Sequence, residues 1–127
     1  MTIIDQDRRT ATSDESAYWV PACAFAALVP GRGVAVLLPD GRQVALFLLD
    51  DDTLQAVGNL DPYTGAAVMS RGLTGDRAGE PTIASPLLKQ VFSLRDGRAL
   101  DDERITLPTY AVRVEEGLVQ VGWSEQA

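Results

Sequence analysis

The sequence contains no histidine and only one cysteine, Cys23. A single cysteine cannot form an internal disulfide, and the chain lacks the cysteine and histidine sets that build zinc sites. Without histidine, neither a Ser-His-Asp nor a Cys-His catalytic arrangement can be assembled. Cys23 lies among small and apolar residues, so we interpret it as a small buried hydrophobic residue rather than a nucleophile.

Basic residues and long apolar runs are also scarce. The chain has 11 lysines and arginines against 18 aspartates and glutamates, a formal net charge of −7. Phosphate backbones and anionic lipids repel an acidic chain, so we expect neither nucleic acid nor a membrane as a partner. No apolar run reaches the ~18 residues that a membrane helix needs. The N-terminus has no basic stretch followed by an apolar one, so we expect a cytoplasmic protein.

The 127 residues, of which 46% are hydrophobic, are sufficient for one globular domain with its own core. Residues 1–16 are polar and carry charges of both signs, which predicts a flexible N-terminal tail. We therefore predict a single ordered domain over residues 17–123.

Short β-rich segments and turn signals recur along this domain. The pairs Asp40-Gly41 and Asp96-Gly97 each predict a hairpin turn. Residues 42–49 are apolar on both strand faces, which indicates a strand that is central in the fold or covered by a partner. Alternation in residues 110–115 predicts that Val114 points inward. No segment has a long helical period, so we predict an all-β sandwich or small barrel of about nine short strands.

Two proline-containing segments interrupt the β pattern: the first loop, residues 59–63, and the second loop, residues 84–88. In each, proline follows a short polar residue, which favours a turn. We expect Asp61, the carboxylate of the first loop, to accept N–H bonds in its own turn rather than act as an acid or base. Arg71 and Lys89 flank the loops and are interpreted either as solvated charges or as contact residues.

These loops and the residues near them carry a resemblance to a known family. The matching groups are Asn59-x-Asp61-Pro62-Tyr63-x-Gly65-Ala66, Ser70-Arg71-Gly72 and Ala84-Ser85-Pro86-Leu87-x-Lys89-Gln90-x-Phe92-x-Leu94. Together they resemble the small subunit of bacterial NAD(P)H-dependent nitrite reductase, a cluster-less offshoot of the Rieske fold. The resemblance covers roughly residues 19–121. It departs from the family pattern at Ala99, where a cysteine is expected before the leucine.

The Rieske comparison implies where a metal cluster would be bound. In a Rieske domain a Cys-x-His loop and a Cys-x-x-His loop hold a [2Fe–2S] cluster through two thiolates and two imidazoles. Aligned on the prolines, those ligand positions are occupied here by Asp61, Tyr63, Ser85 and Leu88. None of the four is a thiolate or an imidazole. We therefore predict a Rieske-like fold without the cluster, and no metal, cofactor or catalytic residue in this chain. Tyr63 and Leu88 are expected to fill the vacated volume, with Leu88 buried.

The resemblance also implies a function. It indicates a small, non-catalytic subunit of the complex that reduces nitrite to ammonium in nitrate assimilation, inactive when alone. FAD, sirohaem and an iron–sulfur cluster would reside in the large partner subunit. Because the cluster loops of a Rieske domain form an exposed tip, the candidate functional site is an interface. The interface candidates are Pro62, Tyr63, Arg71, Pro86, Leu87 and Lys89.

Two other functions are compatible with a Rieske-like fold. One is an electron-transfer ferredoxin of the Rieske type, which the missing ligands oppose. The other is a Rieske-derived accessory or electron-transfer domain of a different reductase or oxygenase. The sequence leaves open the choice between NADH and NADPH, the subunit stoichiometry and the docking face.

Overall fold

A computed structural model describes residues 18–124, and the predicted tail at residues 1–16 lies outside this range. Ten strands and two short 3-10 helices form the described part of the chain, which confirms the all-β prediction. The strands are β1 (Tyr18–Ala24), β2 (Val34–Leu37), β3 (Gln43–Leu48), β4 (Leu54–Gly58), β5 (Leu73–Arg77), β6 (Glu80–Ala84), β7 (Val91–Ser93), β8 (Thr109–Tyr110), β9 (Val112–Glu115) and β10 (Leu118–Trp123). The 3-10 helices are Phe25–Ala27 and Met69–Arg71.

The strands form three antiparallel sheets. Their orders are β1-β10-β9, β2-β3-β4-β8 and β5-β6-β7. The hairpin predicted at Asp40-Gly41 joins β2 to β3, and Gly41 adopts a φ of 95° that glycine accommodates without strain. Within residues 18–124, neither 3-10 helix is long and apolar enough to cross a membrane.

Strand β3 lies between two hydrophobic cores. Val44, Leu46 and Leu48 belong to one core, together with buried residues of β10. Ala45 and Phe47 belong to the other core, together with buried residues of β6 and β7. This position explains why the strand is apolar on both faces, and it identifies β3 as a central strand rather than one covered by a partner.

The second core lies close to both loops. It contains Met69, Ile83 and Phe92, and Tyr63 of the first loop packs against it. The first loop follows β4, and the second loop connects β6 to β7. Segments from two different sheets are therefore positioned on one shared core.

The alternation predicted for residues 110–115 is partly wrong. Val114 is 44% exposed, whereas the guanidinium of Arg113 lies over the Trp19 ring, 4.0 Å from its centroid. The chain passes from the four-stranded sheet in β8 to a three-stranded sheet in β9, and β9 is an edge strand. Side chains on an edge strand have strand neighbours on one side only, so a regular alternation does not guarantee burial.

Candidate functional site

The first loop is a tight turn organised by Asp61. The Asp61 N–H donates to the carbonyl oxygen of Ala66 over 2.8 Å, and the Gly65 N–H donates to the Asp61 carbonyl oxygen over 2.7 Å. Asp61 Oδ1 accepts a hydrogen bond from the Tyr63 N–H at 2.8 Å. The prediction that Asp61 accepts N–H bonds in its own turn is therefore confirmed.

The second loop is a turn closed on both sides of Ser85. The Ser85 N–H donates to the Gln90 carbonyl oxygen, and the Lys89 N–H donates to the Ser85 carbonyl oxygen at 3.1 Å. Lys89 has a φ of 62°, a left-handed conformation that is uncommon for a residue other than glycine. This turn directs the residues between Ser85 and Lys89 away from the core.

A buried hydrogen bond joins the two loops. The Ser85 hydroxyl donates to Asp61 Oδ2 at 2.5 Å, and Ser85 Oγ itself accepts from the Leu87 N–H at 3.3 Å. Asp61 is 0% exposed and Ser85 is 1% exposed. Both carboxylate oxygens of Asp61 are thus satisfied, one within its own loop and one from the other loop. We call this Asp61–Ser85 pair the loop clamp.

Tyr63 fills space between the first loop and the second core. Its ring centroid lies 6.1 Å from that of Phe92, and its hydroxyl donates to Asp102 Oδ2 at 3.4 Å. Partial desolvation and the negative charge of Asp102 raise the pKa of the Tyr63 hydroxyl. Hydrogen bonds from Arg104 lower the pKa of Asp102, so the acceptor beside Tyr63 stays anionic at neutral pH.

The prediction that Leu88 is buried is wrong. Leu88 is 56% exposed and Leu87 is 49% exposed. The physical reason is the turn from Ser85 to Lys89, which carries both leucines outward.

The structure brings the interface candidates of both loops to one region. Pro62 and Leu87 are exposed, whereas Tyr63 and Pro86 are half-buried. Lys89 is exposed at the end of the second loop. The loop clamp joins the residues that directly precede Pro62 and Pro86, so it connects the two loops at these prolines.

Arg71, the remaining candidate, is exposed on the second 3-10 helix. That helix is attached to the first loop through Asn59, whose side-chain oxygen accepts the Ser70 N–H at 2.7 Å and whose carbonyl oxygen accepts the Met69 N–H at 3.0 Å. Asn59 is only 2% exposed. Sequence reasoning placed Asn59 in the family pattern but gave it no role, because its partners are about ten residues away along the chain.

Sequence reasoning also missed two exposed leucines near the loops. Leu60, beside Asp61, is 53% exposed, and Leu73, which pairs with Ala84 at the start of the second loop, is 77% exposed. A leucine in a β-rich sequence is ordinarily assigned to the core, so no signal in the sequence pointed to these positions. We call the six interface candidates, together with the exposed Leu60, Leu73 and Leu88, the loop surface. Four of these nine residues are exposed leucines.

Comparisons with known proteins identify the family. The family model of the Rieske-like [2Fe–2S] domain matches residues 18–122. The chain is 41% identical over 104 residues to the nitrite reductase (NADH) small subunit of Salmonella typhimurium, covering 81% of this chain and 95% of that protein. The chain belongs to the nitrite reductase small-subunit family. The resemblance seen in the loop residues is therefore confirmed.

A solved structure and a larger protein extend the comparison to this family. A crystal structure assigned to an NADH-dependent nitrite reductase small subunit from Mycobacterium tuberculosis is 58% identical, with a TM-score of 0.81 over 84% of this chain and 95% of that chain. The chain is also 42% identical over 104 residues to a segment of the nitrite reductase [NAD(P)H] large subunit of Klebsiella oxytoca. The match covers 82% of this chain and 11% of that protein, so the large polypeptide contains a segment similar to this small subunit.

The residues at the Rieske ligand positions do not fit a [2Fe–2S] cluster. A Rieske cluster needs two thiolates and two imidazoles, and the two thiolate positions hold Asp61 and Ser85, which are hydrogen-bonded to each other. The sequence has no histidine, and Cys23 lies on β1, which pairs with β10 and not with either loop. Burial raises the pKa of the Cys23 thiol. Residues 18–124 contain no group of three or more histidine, cysteine, aspartate or glutamate side chains arranged to hold a metal ion.

Proposed function

We propose that this chain is the non-catalytic small subunit of an NAD(P)H nitrite reductase and that it acts by docking its loop surface on the large subunit. The loop clamp is the observation that carries the proposal. In it, two of the four Rieske ligand positions form a buried hydrogen-bonded pair, while Leu87 and Leu88 in the second loop are exposed. The fold is kept, the redox centre is replaced, and an apolar surface remains available for a partner.

The family comparison supports the choice of partner. A segment similar to this chain is part of the Klebsiella oxytoca large subunit, which is consistent with the small subunit working in contact with that polypeptide. In the proposed complex the large subunit carries FAD, sirohaem and an iron–sulfur cluster and reduces nitrite to ammonium for nitrate assimilation. The net charge of −7 favours a protein partner over nucleic acid or an anionic membrane.

The composition of the loop surface also supports docking. Leu60, Leu73, Leu87 and Leu88 are each about half exposed or more. Several exposed apolar side chains in or beside the same two loops favour a protein–protein contact site, whereas single ones are ordinary. Tyr63 and Arg71 add residue types that are enriched among binding hot spots.

Purification of the full chain alone and with its large subunit tests this function. Alone, the chain should be colourless and iron-free and should neither reduce nitrite nor oxidise NADH or NADPH. Mixed with the large subunit, it should co-elute as one complex on size exclusion. Turnover by the chain alone would contradict the non-catalytic role, and separate elution would contradict the docking role. Stoichiometric iron with visible absorption after anaerobic reconstitution would favour the ferredoxin alternative instead.

A further inference from the structure

Most arginines within residues 18–124 form ion pairs or hydrogen bonds with other groups of the protein. Arg42, Arg77, Arg98 and Arg104 form ion pairs with aspartate or glutamate. Arg95 donates to a carbonyl oxygen, and Arg113 donates to Gln120 and lies over an indole ring. Arg32 and Arg71 differ, because neither guanidinium forms an ion pair or a side-chain hydrogen bond with any residue that the structure describes.

These two arginines line the same surface groove. The groove has a volume of about 450 Å³ and is also lined by Ser70, which precedes Arg71 on the second 3-10 helix. Arg32 comes from the turn before β2, and Arg71 comes from the second 3-10 helix. We call this feature the basic groove.

Close backbone packing holds the two sides of the basic groove together. A Cβ atom at Gly33 would lie 2.3 Å from the Ser70 carbonyl oxygen and 2.7 Å from a ring carbon of Phe47. A Cβ atom at Gly72 would lie 2.3 Å from the Ala84 carbonyl oxygen. Only glycine permits these approaches. The turn carrying Arg32 therefore packs on the helix carrying Arg71, and that helix packs on the strand leading to the second loop.

An acidic depression adjoins the basic groove. It has a volume of about 490 Å³ and shares Gly31 and Thr74 with the basic groove. Its charged lining residues are Asp50, Asp51, Asp76 and Arg95, so its net charge is negative. Hydrogen bonds from Thr53 lower the pKa of Asp51, which keeps this side anionic. The basic groove and the depression beside it therefore carry net charges of opposite sign.

We infer that the basic groove binds a carboxylate-bearing segment of the large subunit, as an extension of the loop surface. The inference rests on the proposed function. An exposed arginine that forms no ion pair within residues 18–124 is available for bidentate binding of an external carboxylate. On a chain of net charge −7, an acidic partner segment is repelled by most of the surface and attracted here. The adjoining acidic depression would repel the same segment and so fix its direction.

The position of the basic groove supports continuity with the loop surface. Arg71 is held through Ser70 to Asn59, next to the first loop, and Gly72 contacts Ala84 of the second loop. A partner that covers the two loops would therefore meet Arg71 at their border and Arg32 beyond it. Arg32 is the residue that this inference adds, because nothing in the sequence distinguished it from other surface arginines.

Charge reversal with a matched control tests the inference. The affinity of the full chain for its purified large subunit is measured by calorimetry at low and high salt for the parent, Arg32→Glu, Arg71→Glu and the double variant. We expect each single change to weaken binding roughly tenfold at low salt and the double change to weaken it more. Raising the salt should shrink these differences, because screening weakens attraction between exposed charges.

Arg77→Glu is the control variant. It makes the same change in net charge, but Arg77 is outside the basic groove and already pairs with Asp101 at 3.3 Å. It should bind within about threefold of the parent, as expected for a charge outside the interface. The affinity of Arg32→Lys should lie between those of the parent and Arg32→Glu. Lysine keeps the positive charge but lacks the planar guanidinium that binds a carboxylate through two parallel hydrogen bonds.

The outcomes separate this inference from the proposed function. If the parent chain binds and the Arg32 and Arg71 reversals bind equally well, the basic groove is not part of the interface while the docking function stands. If the parent does not bind the large subunit, both fail. Saturable binding of NADH to the isolated chain that is lost in the double variant would make the groove a phosphate site and would also overturn the inference.

Discussion

Two residues that align with Rieske ligand positions have a structural role in this chain. In a Rieske domain the cluster links its two loops by covalent ligation. Here Ser85 and Asp61 link the same two loops by a buried hydrogen bond to a carboxylate oxygen, a type of bond stronger than one between neutral groups. Sequence reasoning predicted the local role of Asp61 correctly. It did not predict the partner, because Ser85 lies 24 residues away in the chain and only the folded sheets bring it close.

Ser85→Ala should therefore destabilise the protein. It leaves a buried carboxylate oxygen without its donor, which typically costs about 1.5–3 kcal/mol in the free energy of unfolding. Urea denaturation of the full chain measures this cost. Ser70→Ala is the matched control, since the Ser70 side chain makes no hydrogen bond with any described residue, and it should stay within about 0.5 kcal/mol of the parent. Equal midpoints for Ser85→Ala and the parent would show that the loop clamp contributes nothing.

Leu88 and Leu94 give a second contrast between individual residues. Leu88 is 56% exposed and Leu94 is 1% exposed. Leu88→Ala should change the free energy of unfolding by no more than about 0.5 kcal/mol, while Leu94→Ala should cost about 2–5 kcal/mol by leaving a cavity. Thermal and urea unfolding of both variants check the prediction. A large loss for Leu88→Ala would mean that the leucine is buried in solution, as the ligand alignment alone had indicated.

Among the elements, those with strong local signals were predictable. The hairpin at Asp40-Gly41 and the two-sided apolar strand β3 were both read correctly, because Asp-Gly turns and apolar patterning are short-range features. The orientation of Val114 was not, because it depends on a change of sheet between β8 and β9. The exposure of Leu88 was missed for a similar reason, since it depends on the turn that ends at the left-handed Lys89.

A hydrogen bond and an ion pair connect β7 and the turn after it to Glu80 at the start of β6. The Ser93 hydroxyl donates to Glu80 Oε2 at 2.6 Å, and Arg98 forms an ion pair with Glu80 at 2.9 Å. These contacts lower the pKa of Glu80 below its usual value of 4.5, with the Ser93 hydrogen bond as the largest cause. The folded state thus favours the charged form of Glu80.

The stability of this pairing should depend on pH. A lowered folded-state pKa gives stabilisation that is fully present above pH 4.5 and is lost as the pH falls through the folded-state value. The parent should lose stability more steeply below pH 4.5 than Glu80→Gln, which has no charge to titrate there. Ser93→Ala should flatten the profile as well, because it removes the main cause of the shift. Parallel acid profiles for the parent and Glu80→Gln, measured by urea denaturation at a series of pH values, would contradict this account.

At the scale of the whole molecule, the fold separates the core from the docking surface. Strand β3 is buried between two cores, with Phe47 at 0% exposure, so its apolar faces are not available to a partner. The two loops lie beside the second core and present exposed leucines outward. The family and the all-β fold could be inferred from loop residues and strand patterns. The arrangement of the surface could not, because it depends on long-range hydrogen bonds and close glycine contacts.

The central claim is that this loop surface binds the large subunit. Calorimetry of the full chain with its large subunit tests it most directly, using Tyr63→Ala, Arg71→Glu and Lys89→Glu. Tyr63→Ala and Arg71→Glu should weaken binding at least tenfold, which is about 1.4 kcal/mol, and Lys89→Glu should have a smaller effect, as expected for a charge at the rim. Tyr63→Phe keeps the ring contact with Phe92 and controls for folding. Binding of all three variants with the affinity of the parent would contradict the claim.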